Sequence, residues 1–220
     1  MSVLISDAML VTLPEHDLAT KYASAWSQQI INTAERNGIQ IITVKGRSVT
    51  KSNVVNAIEN KDPDSIIFNG HGSESIIAGH NHEPIIIFGE NHHLLKNRIV
   101  HAFTCGSGKI LGKECEANAF IGYNEWFFLC MDKSSTNRPL EDRFATPIME
   151  CALEAPIQLA KKKTAREAFD KSQAKYQEWI DEYTASSSKY TTEELQLILP
   201  CLLWNKSCQA LYGNEEAKLI

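Results

Sequence analysis

Two short apolar runs in this chain each deliver a reactive side chain beside glycine. Ser65-Ile66-Ile67-Phe68-Asn69-Gly70 leads to His71-Gly72, and Ile99-Val100-His101-Ala102-Phe103-Thr104 leads to Cys105-Gly106-Ser107-Gly108. A thiol attacks carbonyl carbon as its thiolate, so it needs a lowered pKa or a base within reach. An imidazole supplies the base and can later protonate a leaving amine. The oxyanion formed on attack needs backbone N–H donors already aimed at it. Gly72, lacking a Cβ, can turn its N–H inward, and the N–H of Cys105 is a natural second donor. Gly106 and Gly108 allow a sharp turn whose peptide dipoles are expected to favour thiolate.

For that chemistry the two runs must end side by side. Both are short, β-rich and apolar throughout, the pattern of buried parallel strands. Ligands of open α/β sheets bind beyond the carboxyl ends of the strands, and neighbouring strand ends stand about 4.8 Å apart. The rest of the first half fits such a sheet. A first strand is expected over residues 3–6, continuing raggedly through 9–13, then a helix over 15–36, a strand over 39–44 and a helix over 50–60. After His71, residues 75–78 and 84–88 flank a polar Gly79-His80-Asn81-His82-Glu83 tip and read as a β-hairpin. Residues 119–122 make a further strand. This βαβαβ rhythm predicts a mostly parallel sheet covered by helices. From residue 131 the chain turns polar and breaker-rich through Pro139. Helical periodicity follows over 145–160 and 164–184, and the tail is apolar enough to pack back on the body.

A strand ending in His-Gly, an insert, then a strand ending in Cys-x-Ser-Gly resembles the caspase-like cysteine peptidases: caspases, metacaspases, legumains, gingipains, clostripain, separases and bacterial CHAT proteases. Asn69-Gly70-His71-Gly72-Ser73 matches the histidine box, and Phe103-Thr104-Cys105-Gly106-Ser107-Gly108 the cysteine box. Ala119-Phe120-Ile121-Gly122 with Trp126 and Asp132 is similar to the segment after the cysteine in separases and CHAT domains. Thr164-Ala165-Arg166-Glu167-Ala168-Phe169 is similar to a CHAT helix start. The resemblance implies a three-layer α/β sandwich in one domain over 1–220. Residues 1–130 would form the sheet core and 131–220 the loop and helical completion. It implies His71 as general base or acid, Cys105 as nucleophile, Gly72 and Cys105 as oxyanion hole, and a dyad without a third member. It also implies a protein or peptide substrate, no cofactor, and an activating protein partner as found beside microbial relatives.

The chain departs from the family at Phe103, where metacaspases carry an acid and caspases a glutamine. Specificity would then rest elsewhere. Asp132 occupies the place of the separase-type acid facing the residue before the cut, and Asp7, at the end of the expected first strand, is a second candidate. Either carboxylate would select Arg or Lys through a charge-assisted pair.

Bulk composition excludes several other classes. A net charge of −5 offers no general attraction for nucleic acid or anionic lipid. No apolar stretch approaches the roughly 18–20 residues of a membrane span, and the start lacks the basic flank and apolar core of a secretory signal; a cytoplasmic protein is expected. The six cysteines form no C-x-x-C pair and are read as reduced, with Cys105 alone chemically special. Two rival readings stand: a caspase-like module that binds a peptide or partner without cutting it, and a metal-dependent hydrolase built on His80, His82, His92 and His93. His-x-His is a plausible start for a metal site, but no third ligand is legible, and a solvated hairpin tip is the plainer expectation.

Overall fold

Apolar side chains on both faces of the expected strands require a cover on each side, and the computed structural model, which describes residues 7–185 and 189–220, provides two. The strands are β1 (Ala8–Leu13), β2 (Gln40–Lys45), β3 (Ser65–Asn69), β4 (His71–Ser73), β5 (Ile76–Ala78), β6 (Pro84–Ile87), β7 (Ile99–Phe103), β8 (Ala119–Tyr123) and β9 (Gln209–Gly213). Six of them form one sheet in the order β2-β1-β3-β7-β8-β9, parallel except for β9, which runs antiparallel to β8. The helices are α1 (Leu18–Trp26), α2 (Gln28–Arg36), α3 (Lys51–Lys61), α4 (Thr146–Ala160), α5 (Ala165–Ala185) and α6 (Thr192–Cys208).

The period-2 alternation of strands sorts the core into two layers. Met9, Val11 and Leu13 of β1, Ile67 of β3 and Ile121 of β8 face α1, α2, α4 and the start of α5. Leu10, Ile66, Phe68, Val100 and Phe120 face α3 and the hairpin residues Ile77, Ile85 and Ile86. A third cluster joins α4, α5 and α6 through Ile148, Tyr176, Ile198 and Leu202. The α/β sandwich expected from the sequence is therefore present.

Three elements differ from the sequence reading. The expected strand over residues 3–6 lies outside the described residues, and β1 occupies the ragged stretch that follows it. The helix expected from residue 15 begins at Leu18, because Asp17 caps it. One Asp17 carboxylate oxygen accepts the Thr20 N–H at 2.9 Å, and the Thr20 hydroxyl accepts the Asp17 N–H at 3.1 Å, a reciprocal capping pair. The hairpin also gains a third strand, since His71 opens β4, which pairs antiparallel with β5 in a small β4-β5-β6 sheet. The tail contributes β9 to the main sheet as well as the helix α6.

The segment expected as a free polar loop is tied down. Trp26 donates its indole N–H to the Pro139 carbonyl at 3.0 Å, and Tyr22 donates to the buried Asp142 carboxylate at 2.6 Å. A second polar knot steadies the approach to His71. Buried Asn69 donates through its amide to the Thr12 carbonyl at 2.7 Å and through its backbone N–H to the Thr12 hydroxyl at 3.0 Å. Its Oδ1 accepts from Ser27 at 3.2 Å. Every buried polar group here has a partner, which is what makes such a network stabilising rather than costly.

Candidate active site

β3 and β7 pair in parallel register, with Asn69 opposite Phe103, so the two chains leave the sheet at the same edge. His71 and Cys105 then line one cavity of about 90 Å³, together with Ala19, Ala23, Phe103 and Leu129. Cys105 also borders a second hollow of about 110 Å³ with Gly72, Glu74, Glu125 and the largely exposed Trp126. The sulfur thus sits between two small cavities, the second with more polar side chains in its wall.

Glycine flanking His71 is a geometric necessity. A Cβ on Gly70, whose φ is +156°, would lie 2.3 Å from the Ala78 carbonyl oxygen. One on Gly72 would lie 3.0 Å from the Cys105 carbonyl oxygen and 2.9 Å from that of Ile76. A side chain at Gly70 would push the chain off β5, and one at Gly72 would push β4 away from the Thr104–Cys105 turn. That turn is closed by a 2.6 Å bond from the Thr104 hydroxyl to that of buried Ser107.

The dyad expected from the sequence has a third partner. His71 Nε2 lies 2.6 Å from Asp17 Oδ2. Burial favours the neutral acid at Asp17, but the Thr20 backbone N–H and the His71 ring outweigh it and hold the pKa at about 2. The carboxylate is therefore ionised at neutral pH and can only accept. Its partner Nε2 must carry the proton, which leaves the lone pair of the neutral ring on Nδ1.

At Cys105 the expectation of a preformed thiolate is corrected. Burial pushes the thiol pKa up, and the Phe127 N–H, which donates to Sγ at 3.3 Å, only partly offsets it. The donor on the sulfur comes from the irregular segment that follows β8, not from the Gly106–Gly108 turn. Burial thus favours the neutral thiol at Cys105. All six cysteines are free; beyond Cys105, Cys130 and Cys201 bring their sulfurs within 3.2 Å of each other, a pairing the sequence did not suggest.

Neither carboxylate proposed for specificity joins this cavity. Asp132 borders a separate hollow with Met131, Phe144 and Leu197, and its carboxylate is occupied by the Ser134 N–H at 2.9 Å and hydroxyl at 2.8 Å. Asp7 precedes β1, at the opposite edge of the sheet, and pairs with Lys162 at 3.1 Å. The residues that follow β1 at the His71 edge of the sheet include Glu15, His16 and Asp17.

The hairpin histidines divide. His92 and His93 lie apart from the site, with His92 against Phe88 at 4.7 Å. His80 and His82 fold back upon it: ring centroids are 4.6 Å apart for His71 and His82, 4.9 Å for His16 and His82, and 5.2 Å for His16 and His80. His80 is half-buried, while His82 stays exposed at the tip, as do Asn81 and Glu83.

No protein-family model matches the chain, and no curated protein sequence does. Among solved structures, it is similar to the Arg-specific cysteine proteinase gingipain R, with a TM-score of 0.56 at 15% identity. The fold is caspase-like. The match covers 96% of this chain and 47% of that one, so the chain spans about half the length of the gingipain structure. At this identity the likeness is one of fold, a mainly parallel sheet flanked by helices. Among the described residues, no helix is long and apolar enough to cross a membrane.

Proposed function

We propose that this chain is a cysteine endopeptidase in which Cys105, His71 and Asp17 act together. The observation that carries this reading is the shared cavity of His71 and Cys105, with the far nitrogen of the imidazole held by an ionised carboxylate. Nδ1 of His71 takes the thiol proton as sulfur attacks the substrate carbonyl. The resulting imidazolium is stabilised by Asp17 and returns the proton to the departing amine. Water then hydrolyses the thioester by the same base. The N–H groups of Gly72 and Cys105, brought together by the close packing of β4 on the Cys105 turn, are the oxyanion donors of this mechanism.

The substrate side chain preceding the cut fits the smaller cavity. Its walls include the alanines at 19 and 23, Phe103, Phe127 and Leu129, and its volume is about 90 Å³. A guanidinium or ammonium group there would lose hydration with no carboxylate in the wall to replace it. The preference expected is for a small uncharged residue, in place of the Arg or Lys implied by Asp132 and Asp7. Trp126, exposed at the second hollow, offers an apolar rim for the rest of a protein substrate.

A peptidyl chloromethyl ketone ending in alanine tests the reading directly. Attack by sulfur displaces chloride, and the expected product is a single adduct at Cys105, formed at least about 100-fold more slowly in His71→Ala. An arginine-ended reagent should react more slowly than the alanine one. Labelling of Cys130 or Cys201 as fast as Cys105, or a rate indifferent to His71, would leave only the partner-binding reading.

A further inference from the structure

We infer that His16, Asp17, His71 and His82 form a binding site for a divalent transition-metal cation of the zinc type, and that its occupancy switches the peptidase off. The inhibitory half rests on the function proposed above; the cation site does not.

One ligand atom from each of these four residues lies within 4.8 Å of all the others. Three imidazoles and one carboxylate are a donor set suited to a borderline-soft cation such as Zn²⁺, and poorly suited to Ca²⁺ or Mg²⁺, which take oxygen. Tetrahedral ligands at about 2.1 Å from zinc stand about 3.4 Å from one another. His16 Nε2 and Asp17 Oδ2 are already 3.4 Å apart, while the 2.6 Å contact between Asp17 and His71 Nε2 would have to open as the cation enters.

His16 is the independent sign of a ligand. Its side chain is only 7% exposed, and neither ring nitrogen has a hydrogen-bond partner. A buried imidazole with no hydrogen bond on either nitrogen is costly in a folded protein, and a cation between His16 Nε2 and the Asp17 oxygen 3.4 Å away would satisfy one of them. The approach is open, because His16 also borders a polar cleft of about 750 Å³ shared with Glu15, Arg47 and His80.

The consequence follows from the chemistry of one residue. Zinc on Nε2 of His71 must displace its proton and its Asp17 partner. The displaced proton moves to Nδ1, which then has no lone pair to accept the thiol proton, and Asp17 is no longer free to stabilise an imidazolium. His82 takes no part in the proposed reaction, so it separates the two roles.

The test uses the full chain, freed of metal with a chelator. Co²⁺ visible absorption and Zn²⁺ calorimetry should report one site in wild type and in Cys105→Ala, weakened at least tenfold in His82→Ala. Hydrolysis of an alanine-ended fluorogenic peptide should be equal in chelated wild type and His82→Ala, with inhibition by Zn²⁺ at least tenfold weaker in the variant. Absence of binding in wild type and Cys105→Ala, or loss of binding in Cys105→Ala alone, would overturn the site. Equal inhibition of wild type and His82→Ala would overturn the switch. One bound cation with no hydrolysis in chelator would remove the switch together with the peptidase reading and leave the cation site standing. Hydrolysis that Zn²⁺ raises, and that survives in Cys105→Ala, would replace both with a metal-dependent reaction.

Discussion

Asp17→Asn should lower kcat by about 10³–10⁴-fold, on the scale seen when the carboxylate of a Ser-His-Asp triad becomes an amide. Asparagine is nearly as good a helix N-cap as aspartate, so the Thr20 bonds that start α1 should survive. The charge does not. An amide can present either oxygen or NH₂ to His71, so the tautomer with its lone pair on Nδ1 is no longer enforced, and the imidazolium formed during attack loses its counter-ion. Substrate contacts lie elsewhere, so KM should change little, and the melting temperature should hold. Asp17→Ala, by contrast, removes the cap as well and should cost about 1 kcal/mol of stability. An Asp17→Asn enzyme within threefold of wild type would show that the dyad works unaided.

The second large effect concerns stability in acid and comes from a residue remote from the proposed reaction. His101 lies at the centre of β7, in register with Ile67 and Ile121 on the neighbouring strands, fully buried with neither ring nitrogen bonded. Burial lowers its pKa from 6.5 to about 3. The unfolded chain therefore takes up a proton below pH 6.5 that the folded chain refuses until about pH 3. Stability is fully present above the unfolded value and falls as pH drops through this window, by about 1.4 kcal/mol per pH unit. The loss reaches about 2 kcal/mol at pH 5 and about 4 kcal/mol at pH 3, against a typical total of about 5–15 kcal/mol. His101→Leu, similar in size and without the polar atoms, should flatten that slope, so denaturant midpoints of the two proteins should diverge steadily from pH 7 to pH 4. Parallel curves would mean that the ring is solvated or paired in solution.

His71 and Cys105 were legible because each follows a short, largely apolar, β-rich run, the pattern of a buried central strand. Their adjacency followed from the parallel topology. The end of β1 was not legible in the same way. Residues 3–6 and 9–13 are both apolar runs, and nothing local decides which one enters the sheet. Reading the earlier one carried Asp7 to the catalytic edge and absorbed Asp17 into a helix. The Asp17-x-x-Thr20 capping pattern was nevertheless present, and would have ended the loop after β1 at the residue that meets His71. The histidine cluster was hidden for another reason. His80 and His82 looked like a polar tip because β4 was unseen, and the third strand is what folds the tip back over His16. The tail read only as apolar, since five residues, Gln209 to Gly213, are too few to declare a strand by pattern alone.

The central claim is that a thiol at residue 105 cuts peptide bonds with the help of the imidazole at residue 71. Peptides from a whole proteome, incubated with chelated wild type, Cys105→Ala or His71→Ala, can be mapped by mass spectrometry for new N-termini. New termini following small uncharged residues, made by wild type and lost in both variants, are the predicted outcome. The same set of termini in all three reactions, or none in any, would contradict it.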